Sequence, residues 1–200
     1  MKRSQGVVVA AALAVLLVGV QGLLTAERSG GGDHERRLRT RLSGFNEPPA
    51  VFTGARGLFE ATIAADESGF DYTLTYENLE APVTQSHIHI GQVLVNGGIA
   101  IWLCETAANP APAAVAAATP DCGGPNSATV MGTVTPAQVI GPNGQGVSPG
   151  EFAEVLNAMR RGLAYANVHS TRSPGGEIRG QLKLDGDDHD RDDHGRDHDR

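Results

Sequence analysis

Residues 70–77 read FDYTLTYE, and this octet constrains the fold more than any other stretch of the chain. Successive side chains of a β-strand point to opposite faces. Phe70, Tyr72, Leu74 and Tyr76 therefore form an apolar face, and Asp71, Thr73, Thr75 and Glu77 a polar one. Such a segment belongs in a sheet with one dry side and one wet side. Just ahead of it Leu58–Ala64 alternates too, with Phe59, Ala61 and Ile63 set against Leu58, Glu60 and Thr62. Asp66-Glu67-Ser68-Gly69 lies between the two runs and suits a hairpin turn.

Further strands are predicted at Thr84–Ile90, Ile99–Leu103, Thr129–Val134, Leu163–His169 and Glu177–Leu184. One helix is expected. Ser148 caps it, Pro149 takes the first helical position and Glu151 completes a capping box. Phe152, Val155, Leu156 and Met159 then recur at helical spacing until Gly162 closes the segment. The stretch NPAPAAVAAATP reads as a loop, because Pro110, Pro112 and Pro120 oppose a helix there, and GPNGQG at 141–146 reads as another. The pattern specifies an all-β fold, an antiparallel sandwich or barrel-like domain with one short helix and a disordered acidic tail.

The two ends differ from the middle. Met1-Lys2-Arg3 is basic, Val7–Leu24 carries no charge, and Ala26 precedes the first charged stretch. Residues 1–26 thus read as a secretory signal, cut after Ala26 or, as second choice, after Gly22. An uncleaved membrane anchor is the competing reading, since the apolar run nearly spans a bilayer. Residues 27–41, rich in Gly and charge, read as a linker, which leaves 42–184 as one domain. The expected location is secreted or periplasmic. In that setting the two cysteines, Cys104 and Cys122, are predicted to form a disulfide, worth on the order of 3 kcal/mol in the loop-entropy account. Residues 185–200 hold eight Asp, three Arg and His189, His194 and His198, with nothing to bury, and so read as a solvated tail or a weak metal scavenger. The formal net charge is −7, most of it in this tail, so the domain is nearly neutral and has no footprint for nucleic acid.

Four blocks in order carry a family resemblance: Leu42-Ser43-Gly44-Phe45-Asn46-Glu47-Pro48-Pro49, Ser86-His87-Ile88-His89-Ile90-Gly91, Gly162–Ser170 (GLAYANVHS) and Gly175–Leu182 (GGEIRGQL). Together they resemble the CHRD (chordin) domain across about Leu42 to Leu184. The resemblance implies an extracellular β-sandwich-like module, of a kind that often has no assigned molecular function. It does not carry over growth-factor antagonism, because chordin's cysteine-rich modules have no counterpart here.

Within these blocks His87 and His89 share one face of their strand, with Gln85, while Ile88 and Ile90 take the other. Tyr165, Asn167 and His169 likewise share a face opposite Ala164, Ala166 and Val168. Should the two strands be neighbours, three imidazoles converge on the outside of the sheet, a ligand set suited to copper or zinc. His-x-His with a distant Val-His also resembles the copper site of copper/zinc superoxide dismutase, by analogy only, since the bridging histidine and zinc loop have no counterparts. A structural network stands against this reading. In it the histidines bond to Asn167, Gln85, Ser86 or backbone, and Glu177 pairs with Arg179 at the surface.

Ordinary catalytic signatures are scarce: there is no H-E-x-x-H and no phosphate loop opening a helix. Ser170 beside His169 points to the opposite face and makes no triad. No catalytic residue is therefore assigned. The expected role is a non-enzymatic binding or structural module with an extracytoplasmic partner and a surface histidine site for copper or zinc. The alternative is a copper-dependent extracytoplasmic enzyme using His87, His89 and His169. Membrane contact is expected only through an uncleaved N-terminal segment.

Overall fold

A computed structural model describes residues 36–185. The signal segment, the first part of the linker and the tail beyond Asp185 lie outside the described residues. Nine strands follow in chain order: β1 Arg37–Ser43, β2 Arg56–Ile63, β3 Phe70–Glu77, β4 Val83–Ile90, β5 Gly98–Cys104, β6 Ala128–Val134, β7 Ala164–Ser170, β8 Ile178–Gln181 and β9 Lys183–Leu184. They form one sheet in the order β5-β4-β7-β8-β1-β2-β3-β6, with β9 paired to β1 and every pairing antiparallel. The sheet curls into a nearly closed barrel. Tyr72 of β3 donates its hydroxyl to the Leu103 carbonyl of β5, and Tyr76 donates to the carbonyls of Cys122 and Gly124. These bonds tie β3 to β5 and to the loop that precedes β6.

The interior holds the expected apolar faces: Phe59 and Ile63 of β2, Phe70, Tyr72, Leu74 and Tyr76 of β3, Ile88 of β4, and Ala164, Ala166 and Val168 of β7. The helix α1, Phe152–Arg160, covers one opening with Phe152, Val155, Leu156 and Met159, and Phe152 stacks on Phe70 at 6.0 Å. Cys104 and Cys122 are bonded, which fastens the Ala/Pro loop to the end of β5. Among the described residues no helix is long and apolar enough to cross a membrane.

Two boundaries differ from the sequence reading. The domain begins at β1, five residues ahead of Leu42, so residues 37–41 are strand and not linker. Its arginines 37, 39 and 41 face outward while Leu38 and Leu42 are each 1% exposed. Composition hid an alternation that burial makes plain. The helix also starts at Phe152 and not at Pro149. Gly150 adopts φ +85, a left-handed conformation outside a helix, so Ser148 cannot be the cap. Half of the capping box survives, with Ser148 N–H donating to Glu151 Oε2 at 2.7 Å.

Candidate metal centre

β4 and β7 lie side by side, with Gln85 opposite His169, His87 opposite Asn167 and His89 opposite Tyr165. His169 is thus diagonal to His87, within reach of a long side chain. The three imidazoles meet as the alternation requires, and one ring nitrogen from each lies within 4.8 Å of the others. His87 Nδ1 is 3.2 Å from His169 Nε2.

Two backbone carbonyls set the ring orientations. His89 Nδ1 lies 2.9 Å from Gly97 O, and His169 Nδ1 lies 2.9 Å from Pro174 O. A carbonyl only accepts, so both Nδ1 atoms carry hydrogen, and both Nε2 atoms present lone pairs. His89 Nε2 is buried without a partner, as are His87 Nε2 and Asn167 Oδ1. The Asn167 amide lies against His89 and raises its pKa slightly, against the larger effect of burial.

Around the trio sits an aromatic wall. His87 meets the Trp102 ring edge to face at 4.3 Å, and His89 stacks on Tyr165 at 4.8 Å with the planes parallel. The Arg179 guanidinium lies 3.3 Å from the Tyr165 ring centre. That arginine holds the 91–97 loop over the rings by donating to Gln92 O and Val95 O, each at 2.9 Å. Gly97 packs so tightly in this loop that a Cβ there would lie 1.6 Å from Ile90 O.

Burial decides the electrostatics. His87 is driven down to about 2, mainly by desolvation and then by the neighbouring His169 and His89. Desolvation also takes His89 down to about 4, and it lowers His169 against the opposing bond to Pro174. All three are neutral near pH 7, the form that ligates a metal.

The expectation of a surface site is corrected here. His87 is fully buried, and His89 and His169 are only 7% and 6% exposed. The polar faces of β4 and β7 point away from the barrel interior, but loops 91–97 and 171–177 roof them over. The surface ion pair between Glu177 and Arg179 is also corrected, because both are buried and turn to different partners. Glu177 accepts from Thr53 Oγ1 and Glu80 N–H, each at 2.8 Å, and from the Ser170 hydroxyl. It ties loops together away from the trio. Gln85 sits beside His169 in the register and is half-buried.

Trp102, the carbonyls of Gly97 and Pro174, and Glu47 were not assigned to the site from sequence. Trp102 faced the right way within its alternating strand, but its strand's position next to β4 was not known. Glu47 is buried with one oxygen unpartnered, and desolvation raises it to about 7 against the pull of Arg179. Gly176, at φ +127, makes room for it: a Cβ there would stand 2.4 Å from Glu47 Oε1.

The geometry fits a three-nitrogen cation site. Two nitrogens that bind one tetrahedral ion at about 2.0–2.1 Å stand roughly 3.3–3.4 Å apart, close to the His87–His169 spacing. The ring nitrogens spread over up to 4.8 Å, more than such an ion spans, so a shared ion would require the third ring to move inward by roughly 1–1.5 Å. Comparison with protein-family models finds the CHRD domain over residues 38–182. Comparison with curated proteins and with solved structures finds no match.

Proposed function

The chain belongs to the CHRD-domain family, and from that premise we propose that it is an exported binding module built around a buried histidine centre for copper or zinc. Family membership and the disulfide support an extracellular module rather than an enzyme. The finer reading rests on one observation. Three neutral imidazoles converge in a buried cluster where two imidazole nitrogens, His87 Nε2 and His89 Nε2, have no hydrogen-bond partner. An unpaired buried polar atom costs about 1–3 kcal/mol, and a cation shared by the three rings would remove that cost at His89 Nε2.

His87 Nδ1, His89 Nε2 and His169 Nε2 would hold the ion. The opposite nitrogens of His89 and His169 are anchored to carbonyls, the outer arrangement that orients metal-binding imidazoles. With Nδ1 as the donor to an ion, His87 would carry its proton on Nε2. Borderline imidazole donors suit zinc and copper, with affinity greater for copper. A roofed site favours holding the ion over turning over a substrate, because a catalytic centre keeps an open, reachable position. The copper-enzyme alternative lacks such a position in this geometry.

The test is elemental analysis of protein purified without a His-tag, for the native chain and for His87→Ala/His89→Ala. Near one equivalent of copper or zinc is expected in the first and less than about a tenth in the second. A His189→Ala/His194→Ala/His198→Ala variant separates the tail's contribution and is expected to keep its equivalent. Equal metal in the native and double-variant proteins, or none in the native protein reconstituted with either ion, overturns the proposal.

A further inference from the structure

Exposed apolar side chains are gathered at one end of this domain. Of the seven large ones among the described residues, five stand on two adjoining segments: Phe45, Phe52, Val93, Leu94 and Val95. Phe45 and Phe52 meet edge to face at 5.4 Å. The segments touch where Asn96 Nδ2 donates to Pro48 O at 3.4 Å, and Asn46 lines the same cleft as Val93 and Leu94. Surface apolar residues scattered singly mean little, but a contiguous group marks a contact site.

The backbone beneath the tip is strained. Leu94 has φ +61, in the left-handed region that favours glycine. It is the third residue of a turn closed by Val95 N–H on Gln92 O at 3.1 Å, where glycine is the usual choice. Such strain persists only where the surroundings hold it. The buried Arg179 does so, donating to both Gln92 O and Val95 O. Leu94 is 61% exposed, so its side chain gives the core little in return. The clamped loop roofs the histidines on its inner side and presents Val93 and Leu94 on its outer side.

Cations adjoin this tip. Arg39 and Arg41 face outward from β1 and line the cleft of about 450 Å³ that Val93 and Leu94 also line, with Asp185 on its wall. Arg39 meets Glu60 at 3.3 Å, but both are half exposed, a pairing weak enough for another anion to displace. Apolar tips beside guanidinium groups match the layering of an anionic bilayer, hydrocarbon below and phosphates above. A protein partner needs more, since a stable interface takes roughly 20–30 residues a side and this patch is a few separate tips. We propose that this end of the domain docks on an anionic lipid surface. Val93, Leu94 and the Phe45–Phe52 pair enter the acyl boundary, and Arg39 and Arg41 meet lipid phosphates. The contact depends on neither the histidine centre nor the N-terminal apolar segment.

The test places a fluorophore at the tip of the full chain. Cys104 and Cys122 are bonded to each other and are the only cysteines, so Val93→Cys and Met131→Cys each add one thiol to label. Met131, 70% exposed on β6, is the control. Vesicles of phosphatidylcholine with about 30% phosphatidylglycerol carry brominated acyl chains, which quench a fluorophore that enters the hydrocarbon. Quenching of at least twofold is expected at residue 93 and less than a tenth at residue 131. No quenching at 93 overturns the proposal, and so does equal quenching at both, which would mean the chain is held at the bilayer elsewhere. Added to the labelled Val93→Cys chain, Leu94→Gly suits the left-handed backbone and removes the side chain, and Arg39→Gln/Arg41→Gln changes only exposed groups. Each is expected to cut the quenching at least threefold, as is vesicle of phosphatidylcholine alone. Unchanged quenching in any of the three contradicts docking as described. A blue shift at residue 93 that grows with protein concentration in the absence of lipid would assign the patch to a second copy of the chain, and overturns it too.

Discussion

Strands β3 and β7 are built from the same alternation but end in opposite surroundings. β3 buries Phe70, Tyr72, Leu74 and Tyr76 and leaves the residues between them exposed or half exposed. β7 buries all seven of its residues, including Tyr165, Asn167 and His169 on the face turned from the barrel interior. The difference lies in what covers the second face. The β1-β2-β3-β6 half of the sheet meets solvent there. The β4-β7-β8 part is roofed by loops, and the polar groups trapped beneath them must be bonded, neutral or joined to an ion.

Arg179→Ala is expected to give the largest effect on stability. It releases the carbonyls of Gln92 and Val95 from the guanidinium, removes the contact with Tyr165 and leaves Glu47 without its cation. A loss of about 3–5 kcal/mol is expected from urea unfolding, the usual scale for breaking a buried charged contact from one side. A loss under 1 kcal/mol would mean the roof is not anchored there. Next comes Cys104→Ala/Cys122→Ala, expected to lower stability by about 3 kcal/mol by freeing the loop at the end of β5.

Acid acts on the buried groups with opposite signs. In chelator, His87 and His89 titrate near 2 and 4 in the fold and near 6.5 when unfolded. The unfolded chain then binds more protons below pH 6.5, so their contribution is complete above that value and is lost as pH falls toward 4. Glu47 acts in the opposite direction. With a folded value of about 7, above the unfolded carboxylate range, it stabilises at low pH, and that contribution is lost as pH rises through 7. The histidines outnumber it, so the urea midpoint is expected to fall between pH 6.5 and 4.5. Glu47→Gln should steepen that fall and raise stability above pH 7. A flat midpoint over the acid range would contradict the burial of neutral imidazoles. The smallest effect is expected on the open half, where Arg56→Ala removes a solvent-exposed pairing with Glu77 and should cost no more than about 1 kcal/mol.

Legibility in the sequence follows the same divide. β2 and β3 were readable because each has one wet face, and alternation records that directly. β1 was misread as linker because arginine at alternate positions looks like composition rather than pattern. The pairing of His87 and His89 on one face was also readable, and His169 was correctly placed on a like face. Their convergence depends on β4 lying next to β7, a contact between residues 82 apart in the chain. The roof was not legible at all. Polar residues at 165, 167 and 169 read as solvent-facing, since nothing local in β7 announces loops folding back from residues 91–97 and 171–177. Tyr165 and Asn167 carried a faint signal, being an aromatic and an amide on the histidine face.

Whether one ion links the three rings is most directly tested by anomalous scattering from crystals of the zinc- or copper-loaded chain. The account predicts a single strong peak within about 2.0–2.2 Å of a ring nitrogen from each of His87, His89 and His169. A loaded crystal with no peak between those rings, or with a peak bound by only one of them, would contradict it.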